Sequence, residues 1–390
     1  MEIKDSEFSL FNGGVLNRLF VFLRLEKPNT PRFGRRILVL TGIAFAPLAG
    51  LCLAQGTAWG DHVRVPLFHD PGVLTRFLFS LPLLILAEGG VNREICAVVS
   101  YLKTCGIFRE QENPLFEQTV ERGNRLANSV LAEALILAAV VLAVWFRLDI
   151  DPVFGPGITH WQSDVATQSV GAAGTWFRLV SCSIFRFIII RWAWRYLIWS
   201  WFLWKVSGFR LNLMSTHPDG KGGLGILADS QVAFSLLAMA GTAQISGFLG
   251  RSMVFDGTSL ASHQVLIGGS IAIIVSVFLL PLCVFNRQLF ACRKQGLRTY
   301  GALAERYTGL FDQKWLSNKT ANPDLLGTPD IQSLADLGSG YDVVRRMGLF
   351  PLDARLVAVF LVSTAAPFVP LAFFAHGADQ VLLRIMKLLI

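Results

Sequence analysis

Apolar residues along this chain are bunched into long runs separated by polar stretches, instead of recurring at the 3.6 or 2.0 period of an amphipathic soluble fold. A helix needs about 20 residues to cross a hydrocarbon core of roughly 30 Å. Strong runs lie at Ile37 to Ala54, Leu131 to Phe146, Val265 to Phe285 and Leu356 to Phe374. A further run, Val232 to Leu249, is free of charge but carries Gln244 and the small residues Gly241, Ser246 and Gly247 that let helices pack closely. Val73 to Ala87 is short, contains Pro82 and has Arg76 near one end, so it reads as a crossing or as a tilted or re-entrant piece. Trp176 to Trp204 is long enough to cross, yet holds Arg178, Arg186, Arg191 and Arg195 together with six of the ten tryptophans. The pattern predicts an all-α polytopic transmembrane helical bundle of about seven spans (near 37–54, 73–87, 131–146, 176–204, 232–249, 265–285 and 356–374).

Between the runs, apolar residues recur three to four apart at Leu289, Leu297, Tyr300, Leu303, Tyr307 and Leu310. A second stripe follows at Ile331, Leu334, Leu337, Tyr341, Val344 and Met347, interrupted by Gly338 and Gly340. The two stripes predict a small layer of paired helices over 286–354, attached to a transmembrane part over 1–285 and a last span over 355–390; the alternative is a lone helix lying on the membrane surface. Asn113, Pro114, Glu117 and Glu121 mark a helix start that leads into the span at Leu131. Val15 to Leu25 and Val381 to Ile390 read as interfacial helices.

Composition agrees with the spans. Of 390 residues, 53% are hydrophobic and only 16% charged, against roughly 25% charged in an average soluble domain. The net charge of +8 does not signal nucleic-acid binding, because the basic residues collect in particular loops, as they do when they set the orientation of a membrane protein. Lys4, Arg18, Arg24, Lys27, Arg32, Arg35 and Arg36 precede the first run, whereas 149–175 contains no Lys or Arg. The positive-inside rule then puts the N-terminus and the segments 88–129, 205–231 and 286–355 in the cytoplasm, and the C-terminus outside. The first span, with about 36 residues before it, is expected to be retained as an anchor. The lipid bilayer is the partner this implies.

The most distinctive string runs from Ser215 to Gly225, S-T-H-P-D-G-K-G-G-L-G. Its glycines permit positive φ, so successive N–H groups can converge on an anion, with Lys221 adding charge; His217, Asp219, Lys221, Gly222 and Gly223 form a candidate anion or partner loop. The other reading is a tight turn in which Asp219 caps and the glycines serve geometry alone. It is not a phosphate-binding P-loop, since Lys221 is followed by Gly222 instead of Ser or Thr. This string resembles the T-H-P-D-x-x-G-G-L-G signature of a family of uncharacterised bacterial multi-pass membrane proteins, and D-I-Q-S-L-A-D-L-G-S-G-Y-D-V-V-R-R-M from Asp330 to Met347 resembles its second signature. The resemblance covers about a tenth of the chain and implies a location in the bacterial inner membrane, with no activity attached.

Charges inside the spans are the second constellation. An Arg at the bilayer centre costs roughly 2.5 to 3.5 kcal/mol on insertion scales, so Glu133, Arg186, Arg191 and Arg195 are expected to form an intramembrane network, with Glu133 and Arg195 placed to meet and Glu88 as a second acceptor. Two readings follow: a path for an anionic solute or lipid headgroup, or structural pairing with snorkelling at the ends. The spacings of eight, five and four along Arg178, Arg186, Arg191 and Arg195 do not make a voltage-sensor stripe. Five histidines, at 62, 69, 160, 263 and 376, fall outside on this topology, but no two stand at ligand spacing, and the six cysteines show no C-x-x-C pair. No cofactor, metal or catalytic triad is implied, and the sequence leans away from an enzyme. Transport or channel-like handling of an anionic solute or lipid is the leading functional expectation; a membrane-anchored scaffold whose helical layer binds a partner is the alternative.

The charge asymmetry makes a direct prediction. Reporter fusions after Lys205 and after Gln313 should read cytoplasmic and a fusion after Gly155 external; a cytoplasmic signal at Gly155 would overturn the orientation.

Overall fold

The computed structural model describes residues 8–11, 33–60, 62–148, 159–163, 170–317 and 329–376. Among them stand seven helical runs long and apolar enough to cross a membrane: α1 (Phe33–Ala54), α2 (Pro71–Thr104), the run Glu110–Trp145, α5 (Ala172–Val206), α6 (Ile226–Phe255), α7 (Leu260–Leu316) and α9 (Ala354–Phe373). The run Glu110–Trp145 holds α3 (Asn113–Ala127) and α4 (Val130–Trp145), joined where the Ser129 side chain accepts from the Ala132 N–H and caps the new helix. A further helix, α8 (Pro329–Arg346), lies against the far part of α7. The chain is an all-α, seven-span bundle and a multi-pass membrane protein.

The connections alternate between two ends. At one end the Thr159 carbonyl accepts from the Val65 N–H, Thr159 Oγ1 accepts from the Arg64 N–H, and the Arg64 guanidinium donates to the Phe255 carbonyl, so the chain after α1, after α4 and after α6 meets there. His62, His69, His160 and His263 sit at this end. At the other end the Asn212 N–H donates to the Ile107 carbonyl, and Gln288 Nε2 donates to the carbonyls of Ser207 and Phe209, which joins the chain after α2 and α5 to the middle of α7.

Packing sorts the spans into inner and outer helices. About half of the apolar window is buried in α2 (50%), α6 (50%) and α5 (44%), but only 11 to 28% in α1, α4, α7 and α9, so the latter four face lipid. Those outer spans are the more hydrophobic ones, because a lipid-facing surface has nothing to satisfy a polar group, whereas an inner helix can carry Arg, Glu or Gln turned toward its neighbours. The span expected to end at Ala87 is such an inner helix. It continues without reversal through Pro82 to Thr104, with Glu88, Val91, Ile95, Val98 and Leu102 all buried, so it crosses and does not re-enter. A π-helical stretch at Thr75–Ser80 inserts one wide turn before Pro82, and a second, at Phe177–Ser181, lies beside it in α5, where the Phe77 and Phe177 rings meet edge to face.

The two stripes expected to pair do so: α8 packs along the part of α7 over Asn286–Phe311, and Tyr307 donates to the Asp330 carbonyl while Lys314 and Trp315 reach its carboxylate. Helix α8 runs unbroken through Gly338 and Gly340, both of which look into open space. The proposed interfacial helices at 15–25 and 381–390 lie outside the described residues.

Candidate functional site

Glu88 is the acceptor around which the buried charges gather. Its Oε2 takes Arg36 Nη2 at 2.5 Å and its Oε1 takes Arg191 Nη1 at 2.7 Å, with all three side chains only 5 to 6% exposed. The three residues come from α1, α2 and α5, so one carboxylate ties three spans. Arg195, expected to meet Glu133, instead donates to the Leu10 carbonyl and lies over the Phe11 ring at 4.1 Å. The same ring faces Arg191 at 6.0 Å. Arg186 sits apart, donating to the Leu148 carbonyl at 2.6 Å.

The peptide that serves Arg195 carries no motif. Phe8 to Phe11 lie in the bundle, where Asn92 Oδ1 accepts from Ser9 Oγ and the Leu10 N–H and Asn124 Oδ1 accepts from the Ser9 N–H. The Phe8 ring packs on Phe202, and so close to Gly123 that any Cβ there would sit 2.5 Å from it. Only the aromatic residues beside small polar ones hinted at this in the sequence, and that pattern has no specificity.

Beside the Glu88 cluster lies a cavity of about 570 Å³. It opens between two helix pairs, α1 on α2 and α4 on α5. Arg36, Glu88, Glu133 and Arg191 line one end. Apart from Ser183 the rest of the wall is apolar, with Leu40, Ile85, Leu137, Val140, Ile184 and Phe187 prominent. At 1.5 Å per residue, Val140 is about 10 Å along α4 from Glu133, and Ser183 about 12 Å along α5 from Arg191, both away from the charged end. Glu133 lies in the first turn of α4, so the charged end is near the bundle end that holds the Ser215–Gly225 loop, and the apolar part points into the membrane interior.

In the Ser215–Gly225 loop the backbone N–H groups do converge on an anion, and the anion is the loop's own Asp219. Its carboxylate accepts from the N–H groups of Lys221 (2.7 Å), Gly223 (3.1 Å) and Gly225 (2.9 Å), and His217 Nδ1 lies 2.8 Å away. Burial works against the Asp219 charge, but these donors outweigh it and hold the carboxyl below its usual range. Gly222 and Gly223 take φ of +67° and +97°, which L side chains resist. Lys221 turns away from the nest: it donates to the carbonyls of Phe350 and Leu352 and pairs with Asp353 Oδ1 at 3.3 Å. The Gly348 N–H closes the contact on the Gly220 carbonyl at 2.9 Å. The loop thus fastens the turn that leads into α9, and its geometry serves that contact.

Two outcomes follow. Glu88→Gln should cost about 3 to 5 kcal/mol of stability, because it strands two buried guanidinium groups, whereas Glu117→Gln at the exposed Lys103 pair should cost no more than about 1 kcal/mol; melting of the purified variants in detergent measures both, and equal small losses would refute the hub. Asp219→Asn should lose about 1 to 3 kcal/mol near neutral pH. Since the folded carboxyl is depressed, its stabilisation is complete above the unfolded value of about 4 and is lost as pH falls through the lower folded one, so the difference between wild type and variant should close in that acid window.

Comparison with known protein families, with curated proteins and with solved structures finds no match for this chain, so its own geometry carries the functional argument.

Proposed function

We propose that the protein takes up an amphiphile from the surrounding bilayer in the cavity between α1, α2, α4 and α5, as the lipid-handling form of a transport activity. The observation that carries this reading is the distribution of polarity in the cavity: charge is confined to one end near the polar segments, and the remaining wall is apolar except for Ser183. A water-filled ion path would need polar or backbone groups along its length. A cavity of this size falls within the range of small-molecule sites, and its polarity runs parallel to that of a lipid leaflet. The positive-inside orientation supports reading this as the cytoplasmic leaflet, and the motif resemblance supports reading the membrane as a bacterial inner one.

The helical hairpin of α7 and α8 favours a second reading, a scaffold for a soluble partner, because Leu303, Leu310, Leu316 and Ile331 are half or more exposed on it. One experiment separates the two. Protein extracted in mild detergent should retain a bound amphiphile detectable by mass spectrometry, and Leu137→Trp, which fills the cavity from a side chain at its edge, should lose it while melting like wild type. Absence of any retained amphiphile from wild type, together with a stoichiometric soluble protein bound to the hairpin, would decide for the scaffold.

A further inference from the structure

Four charged residues line one end of the cavity, yet the surface that the cavity presents is almost wholly apolar. Both oxygens of Glu88 are taken, Oε2 by Arg36 at 2.5 Å and Oε1 by Arg191 at 2.7 Å. Arg36 Nε, Arg191 Nε and Glu133 Oε1 have essentially no accessible surface, and Arg36 and Glu133 make further interactions within the protein. These charges are engaged with one another and with the bundle, and little of them faces the cavity. A headgroup moved inside would lose its water and meet almost no donor or acceptor in return, a cost that an alkyl chain does not incur.

The way in runs through hydrocarbon. Helices α1 and α4 are outer, lipid-facing spans, and each packs on an inner neighbour, α2 or α5, so the gap between the two pairs faces the bilayer. Leu137 of α4 lines the cavity and is 55% exposed, which puts it at the rim, while Ile85 of α2 and Ile188 of α5 line it from the inner helices and are buried. Glu133 to Val140 covers about 10 Å and Arg191 to Ser183 about 12 Å of helix, against roughly 15 Å for one leaflet, half of a 30 Å core. The cavity therefore has the length for most of one tail. Lipid tails are as apolar as leucine, so a chain that leaves the bilayer for the cavity gains no hydrophobic free energy; it gains contact with walls that otherwise lack partner atoms. Recognition of that kind depends on the chain and not on the headgroup.

We infer that the cavity binds one acyl chain of a membrane lipid, inserted sideways between α1 and α4, while the headgroup stays outside and is not read by the Glu88 cluster. The inference rests on the amphiphile reading and adds which part of the amphiphile is recognised. Leu40, Leu137, Ile184 and Phe187 are the residues that meet the chain.

The test uses full-length protein in dioleoyl phosphatidylcholine vesicles, photolabelled in turn with three lipids. These are phosphatidylcholine carrying a diazirine in one acyl chain, phosphatidylglycerol with the same chain, and phosphatidylcholine with the diazirine on its headgroup. Labelled residues are located by peptide mass spectrometry, with Ile273, 65% exposed on α7, as the ordinary lipid-facing control. Both acyl probes should label Ile184 and Phe187 to within about two-fold of one another, and the headgroup probe should label neither these nor Glu88 and Arg191. Leu137→Trp should lower acyl labelling at Ile184 and Phe187 about ten-fold, as overfilling the space predicts, and leave Ile273 unchanged. Labelling of Glu88 or Arg191 by the headgroup probe, or a preference of roughly ten-fold for the phosphatidylglycerol probe, would overturn the chain assignment and leave the amphiphile reading standing. Acyl labelling at Ile273 with none at Ile184 and Phe187 would overturn both, as would labelling there that Leu137→Trp leaves unchanged. The wild-type comparisons decide between head and chain without the variant.

Discussion

A buried charge in the membrane interior has to be neutralised by protein, and in this bundle that requirement converges on Glu88. One carboxylate with two oxygens can satisfy two guanidinium groups, and the two it takes come from different helices. The relative heights of α1, α2 and α5 are fixed by that triple contact, since sliding any one by a helical turn, about 5.4 Å, would break a charge-assisted bond. Arg195 is served by other means. A backbone carbonyl and an aromatic face take it, which draws the segment at Phe8 to Phe11 into the interior. The cavity follows from the same constraint: α1 is held on α2 and α4 packs on α5, so the space between the two pairs stays open and the fixed charges stand at its end.

How much of this was legible in the sequence depended on which way each helix faces. The membrane-crossing parts of α1, α4, α7 and α9 touch lipid, are predominantly apolar, and stand out as runs in the sequence. Helices α2 and α5 are inner, and their sequences mix Arg, Glu and Pro with apolar residues because their neighbours, and not lipid, receive those side chains. That mixture made Val73 to Ala87 look short and put Glu88 at an apparent boundary, when it lies in the middle of a 34-residue helix. The intramembrane arginines were visible as a group that needed partners, but choosing Glu88 over Glu133 required knowing that α2 continues. The Phe8–Phe11 segment had no local signal, since its role is set by Asn92, Asn124 and Arg195, each more than eighty residues away.

The Ser215–Gly225 string shows the same limit from the other side. Its composition correctly implied positive φ and converging N–H groups, both of which are present. What composition could not supply was the occupant of the nest, because Asp219 is only a few residues away and fills it intramolecularly, while Lys221 is taken up by carbonyls some 130 residues later. A glycine-rich turn with its own carboxylate inside has its converging N–H groups taken up by that carboxylate, and its geometry is explained by the contact it makes between two distant parts of the chain.

The placement of Phe8 to Phe11 bears on the order of assembly. These four residues are synthesised before every helix they touch: Asn92 and Cys96 lie in α2, Gly123 and Asn124 in α3, and Arg195 and Phe202 in α5. They cannot reach their final seats until α5 has been made and inserted, nearly two hundred residues later in synthesis. During that interval the Arg195 site does not exist and the aromatic pair Phe8 and Phe11 has no pocket. Chains normally fold from the N-terminal side as they emerge; here an early segment waits, and its docking is a late step that joins α2, α3 and α5 once all three are present.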